Sequence, residues 1–205
     1  MMKPYKAVLF DFGNVIINID PALTFKAFAE LTFKSEERIR EQISESDLFR
    51  RYEIGLFDDE EFREIVRQTL GYPLSDEEVD RAWNSLLLDV PPHRVGLVLD
   101  LKAKTPVYLL SNTNSIHIQF CNDYFRRNFG IPSVSALFDH TFYSYEMGLW
   151  KPDEAIYQEV LSETGLQAEE VLFIDDNEKN IAAAKAMGFQ AILHDPKNDI
   201  KDYFD

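Results

Sequence analysis

Asp11 stands where an apolar run, Ala7-Val8-Leu9-Phe10, breaks into the turn Phe12-Gly13-Asn14. A carboxylate presented at the end of such a run can attack phosphorus, dividing one hydrolysis into two easier displacements. Three later segments supply the remaining parts. Ser111-Asn112-Thr113 closes a second apolar run and precedes a helical pattern. A hydroxyl beside the free N–H groups of a helix start makes an anion cradle. Lys151 precedes Pro152, which predicts a helix with proline at its first position and a lysine held just ahead of it. Its charge would face a transferring phosphoryl group. Asp175-Asp176 ends the run Val171-Leu172-Phe173-Ile174, with Asn180 on the first turn of the following helix. Two adjacent acids beside Asp11 make a hard oxygen site suited to Mg²⁺. Singly, these are a turn acid, an N-cap, a solvated lysine and a polar turn; together they make a phosphate site.

The elements that must position them are legible in the same pattern. Apolar runs at Tyr5–Asp11, Val107–Ser111, Val171–Asp175 and Gln190–His194 read as strands buried on both faces, as in a parallel sheet. His140–Glu146 is a candidate edge strand. Helical patterns at Pro91–Lys104, Asn114–Phe129, Pro152–Thr164 and Asn177–Met187 separate the strands, with Gly188 stopping the last. The alternation predicts a doubly wound α/β core of residues 1–17 and 90–205. Residues 18–89 show four or five amphipathic helices and no good strand. Ser75 with Glu78 forms a capping box, and Gly55 and Gly71 end the helices before them. A helical cap inserted after the first strand would sit over that strand's carboxyl end, where ligands of open α/β sheets bind.

Composition narrows the partners. Thirty-six acids against 21 bases give a net charge of −15 over 205 residues, which repels nucleic acid and anionic membranes. A small anionic substrate is still admissible, because a metal and one lysine reverse the local potential. The single cysteine, Cys121, permits no intrachain disulfide and reads as a buried, inert thiol. The amino terminus, Met1-Met2-Lys3-Pro4-Tyr5-Lys6, leads into an apolar run cut short by Asp11, with no signal-peptide core or membrane-length stretch. A soluble cytoplasmic protein, acting alone or as a weak homodimer, is the expectation.

The order Asp…Ser…Lys…Asp-Asp resembles the haloacid dehalogenase superfamily of phosphatases, over nearly the whole chain and including the position of a helical cap. The resemblance implies that Asp11 is the nucleophile and that Ser111 and Asn112 hold phosphoryl oxygens. Lys151 then stabilises charge, while Asp175 and Asp176 hold Mg²⁺ together with Asp11 and the Gly13 carbonyl. The stretches Asp11-Phe12-Gly13-Asn14-Val15, Ser111-Asn112-Thr113-Asn114 with His117, and Phe173-Ile174-Asp175-Asp176-Asn177 look like a bacterial branch that contains α-glucose-1-phosphate phosphatases. Asp202-Tyr203-Phe204 fits the same branch. Asn114 and His117 join Asn112 as candidate substrate or phosphate contacts.

Gly13 departs from the superfamily pattern, which has a second aspartate two residues after the nucleophile. Glycine keeps the metal-binding carbonyl and loses the acid, and positioned acid catalysis contributes about 10²–10⁴-fold. Three outcomes follow: a substrate with a better leaving group, such as a sugar 1-phosphate; a replacement acid, for which His117 is the candidate; or a catalytically weak phospho-ligand-binding protein. The reading adopted is a Mg²⁺-dependent phosphatase acting on a small phosphorylated metabolite, a sugar phosphate first among them. Metal-independent 2-haloacid dehalogenation is the rival chemistry, and the acidic pair weighs against it. Arg50, Arg51, Tyr52 and Glu53 of the cap rank low as readers of the substrate's remote part. The run Asp58-Asp59-Glu60-Glu61 is expected to be a helix start, Trp83 cap core, and Trp150 a lining or cover of the entrance.

Overall fold

The computed structural model describes residues 4–204; Met1-Met2-Lys3 of the amino-terminal reading and Asp205 lie outside the described residues. Five short strands, β1 (Ala7–Phe10), β2 (Val107–Ser111), β3 (His140–Tyr143), β4 (Val171–Asp175) and β5 (Gln190–Leu193), form one all-parallel sheet in the order β3-β2-β1-β4-β5. The side chains alternate between two apolar layers. Val8, Phe10, Leu109, Leu172 and Ile174 face one side, and Leu9, Leu110, Val171 and Phe173 the other. Helices cover both faces, which is why these strands carry no polar alternation.

The chain visits β2 and β3 on one side of β1, then crosses to β4 and β5 on the other. Such a reversal opens a crevice at the carboxyl ends of the strands. Register brings the predicted residues to that edge. Phe10 pairs with both Leu109 and Ile174, so Asp11, Ser111 and Asp175 end three adjacent strands.

Between β1 and the sheet's second strand lie α1 (Pro21–Thr32), α2 (Glu36–Ser46), α3 (Leu48–Glu53), α4 (Asp59–Leu70), α5 (Asp76–Asn84) and α6 (Pro92–Lys102). The first five share their own apolar cluster, in which Tyr52 stacks on Phe62 with ring centroids 4.0 Å apart and Phe49 packs on Trp83 at 4.2 Å. Capping boxes at Asp58/Glu61 and Ser75/Glu78 start α4 and α5, and Gly71, at φ 61°, ends α4. The rest of the helices are α7 (Ser115–Phe129), α8 (Val134–Leu137), α9 (Ser144–Met147), α10 (Glu154–Thr164) and α11 (Glu178–Ala186).

Two sequence readings need correction. The candidate strand at 140–146 is real but ends at Tyr143, and Ser144–Met147 turns into α9. Pro152 is not the first residue of a helix. Asp153 N–H donates to the Trp150 carbonyl at 2.8 Å, which makes residues 150–153 a turn. Asp153 then becomes the N-cap of α10. Lys151 sits inside this turn, one residue ahead of Pro152. No helix of the described residues is long and apolar enough to cross a membrane.

Candidate active site

The turn after β1 is built around Asn14. Ile16 and Ile17 N–H both donate to the Phe12 carbonyl, and Asn14 N–H to that of Ile17 at 2.6 Å. This places Asn14 in the left-handed region, φ 55°, which asparagine tolerates better than most side chains. From there its amide works in two directions. Oδ1 accepts from Ile19 N–H at 3.1 Å, and Nδ2 donates to Asp176 Oδ2 at 3.0 Å. Gly13 abuts the end of the Ile19 side chain. A Cβ at residue 13 would lie 2.8 Å from Ile19 Cδ1 and 4.0 Å from Asp11 Oδ2. Ile19 therefore fills the space into which an acid at position 13 would project.

Lys151 ties the strand ends together. Its buried ammonium donates to Asp11 Oδ1 at 2.6 Å, Asp175 Oδ2 at 2.7 Å and the Leu110 carbonyl at 2.9 Å, which uses all three of its hydrogens. Asn112 fixes the lysine's backbone on both sides: Lys151 N–H donates to Asn112 Oδ1 at 2.9 Å, and Asn112 Nδ2 to the Lys151 carbonyl at 3.0 Å. Asp175 also accepts from Asn177 N–H at 2.8 Å and from both-oxygen contacts with Asn180 Nδ2 at 3.0 and 3.1 Å. Asn180, on the first turn of α11, thus orients the acid that Lys151 neutralises.

One oxygen from each of Asp11, Asp175 and Asp176 lies within 4.8 Å of the others. Three carboxylates face one ammonium, leaving an excess of negative charge. Burial pushes the Asp11 carboxyl up to about 7; Lys151 opposes this, and Asp175 and Asp176 reinforce it. Asp176 is raised by burial, with the Asn14 hydrogen bond pulling the other way and Asp175 adding to the rise. Burial alone would lower the pKa of Lys151, but Asp11 and Asp175 outweigh it and hold the ammonium above its usual range. Three carboxylates gathered this closely are ones that a divalent cation would relax, and their all-oxygen donor set fits Mg²⁺.

The other predicted residues divide. Ser111 is buried at the end of β2 and lines the cavity described below with Asn112 and His117. The side chain of Asn112 is committed to Lys151. Asn114 is fully buried, and its Oδ1 accepts from His117 N–H at 3.0 Å and Trp83 Nε1 at 3.1 Å, so it caps α7 and grips α5. His117 packs on Trp83 with ring centroids 4.5 Å apart, and burial drives its pKa down to about 3. A neutral imidazole is a poor proton donor, which argues against His117 as the substitute acid.

A cavity of about 450 Å³ opens above Gly13 and Ser111, walled on its other side by residues of α1, α2, α3 and α5. Phe25, Phe49, Trp83 and Trp150 give it aromatic walls, and Ser44, Asp47, Arg50 and Glu53 a polar rim. Three contributions were not read from the sequence. Asn14 orients Asp176, a role signalled only by an asparagine in a tight turn. Ser144 bridges cap and core, accepting from Thr113 N–H at 2.9 Å and donating to the Glu53 carbonyl at 2.5 Å. Asp59, placed in a helix-start run, also accepts from Tyr52 Oη at 2.7 Å, Gln119 Nε2 at 3.1 Å and Ser115 Oγ. Cys121 is buried in the core, with its thiol pushed up to about 12 by burial.

Three adjacent strands of a parallel sheet thus bring a buried acid, a serine and a second acid to one edge, with a lysine bridging the two acids. The chain belongs to the haloacid dehalogenase-like hydrolases, whose family pattern matches residues 5–188. A D-ribitol-5-phosphate phosphatase of Bacteroides thetaiotaomicron is 30% identical over 186 residues, covering 90% of this chain and 89% of that protein. Among solved structures, the HAD family enzyme bt-2542 of the same organism superimposes with a TM-score of 0.90 at 35% identity, over 99% of this chain and 100% of that one. Its complex with magnesium and inorganic phosphate matches at 0.87 and 34%, over 98% and 100% of the two chains. An L-2-haloacid dehalogenase of Xanthobacter autotrophicus, at 23% identity and 0.59 over 91% and 76%, shares the fold.

Proposed function

We propose that this hydrolase is a Mg²⁺-dependent phosphatase that cleaves phosphate monoesters of small metabolites through an aspartyl-phosphate on Asp11. One observation carries the reading: Lys151 bridges Asp11 and Asp175 at 2.6 and 2.7 Å inside a three-carboxylate cluster. Asp11, Asp175, Asp176 and the Gly13 carbonyl would hold Mg²⁺, which supplies positive charge against the phosphoryl oxygens when bound. Lys151 favours the ionised form of Asp11 against its burial and aims the carboxylate. Ser111 receives a phosphoryl oxygen at the end of β2, and Asn112 acts by holding the Lys151 backbone. The magnesium and phosphate complex of the related bt-2542 enzyme supports both the metal and the bound product.

For the organic part of the substrate we propose a sugar or polyol. Aromatic walls suit the C–H faces of such a molecule and the polar rim suits its hydroxyls. The relative named as a ribitol-5-phosphate phosphatase supports that class. Released phosphate from a panel of sugar and polyol phosphates, with Mg²⁺ and with chelator, tests the proposal. Chelator should abolish turnover, and Asp11→Asn should reduce it at least about 10³-fold, the order expected for loss of a catalytic group. Undiminished phosphate release by Asp11→Asn would refute the mechanism, and a dehalogenase would keep working in EDTA.

A further inference from the structure

Hydrolysis of an unactivated ester needs a proton for the departing alkoxide, and residue 13 has no side chain to give one. Ile19 occupies the volume where such a side chain would extend, so the donor must come from elsewhere on the cavity wall. Four titratable groups line it: Asp47, Arg50, Glu53 and His117. Asp47 and Arg50 are exposed, and Arg50 leans toward Asp153 at 3.6 Å. His117 is held neutral by its burial against Trp83. Glu53 is left.

Its position is tightly fixed. Glu53 closes α3, and its carbonyl accepts from Ser144 Oγ, which in turn contacts the Thr113 backbone on the loop after Ser111. Two residues on, Gly55, at φ 73°, lies against the Tyr145 carbonyl with no room for a Cβ. The end of α3 is therefore fastened to the loop that follows Ser111. The Glu53 side chain is half-buried in the cavity wall, in the same cavity as Gly13 and Ser111.

We infer that Glu53, carried by the cap, is the general acid and base of the reaction. This rests on the phosphatase reading above. In the first displacement an Asp11 oxygen bonds to phosphorus, the bond from phosphorus to the ester oxygen breaks, and the Glu53 carboxyl proton passes to that oxygen, releasing an alcohol. In the second, the Glu53 carboxylate takes a proton from a water whose oxygen bonds to phosphorus. The bond to Asp11 breaks, giving inorganic phosphate, free Asp11 and protonated Glu53. Burial pushes the Glu53 carboxyl up to about 8, the nearby Asn114 amide pulling the other way, so a proton is retained at neutral pH.

The test compares wild type and Glu53→Gln on two esters, an alkyl sugar phosphate and p-nitrophenyl phosphate, whose leaving group needs no proton. For Glu53→Gln, kcat/KM on the alkyl ester should fall about 10²–10⁴-fold. On the aryl ester kcat/KM should stay within about threefold, which shows that the site is folded. Aryl turnover should begin with a burst of nitrophenolate as aspartyl-phosphate accumulates. The alkaline limb of the wild-type alkyl profile should vanish in the variant. Equal losses on both esters, or no loss on either, would overturn the role of Glu53 while leaving a Mg²⁺-dependent, Asp11-dependent phosphatase intact. A wild-type enzyme that releases phosphate from neither ester would overturn the phosphatase reading itself, and the inference with it.

Discussion

Replacing Lys151 by methionine removes the one positive charge inside the carboxylate cluster while keeping most of the side chain's volume. The lysine is 2% exposed and donates to Asp11, Asp175 and Leu110. Its loss strands two carboxylates within the same buried site, and breaking a buried ion pair from one side costs about 3–5 kcal/mol. For a chain of this length each kcal/mol corresponds to roughly 2–4 °C in Tm, so with chelator present the melting temperature should drop by about 6–20 °C. Two conditions should shrink the loss. Protonation at low pH neutralises the stranded acids, and saturating Mg²⁺ substitutes for the missing charge, stabilising the variant more than the wild type. Differential scanning fluorimetry of both proteins in EDTA and in Mg²⁺, at pH 5 and pH 7.5, reads all of this. A drop under about 2 °C in EDTA at pH 7.5, or Mg²⁺ stabilisation no larger in the variant, would refute the view that Lys151 and the metal share the task of neutralising Asp11 and Asp175.

Two further outcomes concern stability. The pKa of His117 is depressed to about 3 in the folded chain against about 6.5 unfolded. Between those values the unfolded state binds the extra proton, so stability present above about pH 6.5 should be lost as pH falls, at up to about 1.4 kcal/mol per unit. Urea unfolding at pH 7, 6 and 5 should show this slope flattened in His117→Gln, and identical slopes would contradict it. Gly13→Ala should destabilise by about 1 kcal/mol, the low end of overpacking, because only the terminal methyl Ile19 Cδ1 has to move. Adding Ile19→Val, which removes that methyl, should recover part of the loss, and strict additivity in the double-mutant cycle would exclude the contact as the cause.

Strand ends were the most legible part of this chain. Four apolar runs, each closing on a polar residue, became four strands within a residue or two, and three carried Asp11, Ser111 and Asp175 to one edge. For β1, β2 and β4 that follows from burial on both faces, which leaves an uninterrupted hydrophobic signal. β3 was readable only in outline because its apolar signal is confined to Phe142 and Tyr143, its first two residues being polar and incompletely buried. Pro152 misled because proline also fits a turn, and a backbone hydrogen bond from Asp153 to Trp150 decides between the two. Asp59 and Glu53 belong to a different category. Local pattern explains both as ordinary helix residues, and only the docking of α3 and α4 against α7 and α9 gives them contacts with the core. A one-dimensional pattern contains no term for such long-range encounters.

Asn114 has an oxygen shared between two tasks. It starts α7 by accepting from His117 N–H, and it holds the cap by accepting from Trp83 Nε1. Losing that single acceptor would therefore loosen two joins at once, the first turn of α7 and the seat of the α5 indole, both a few residues along the chain from Ser111.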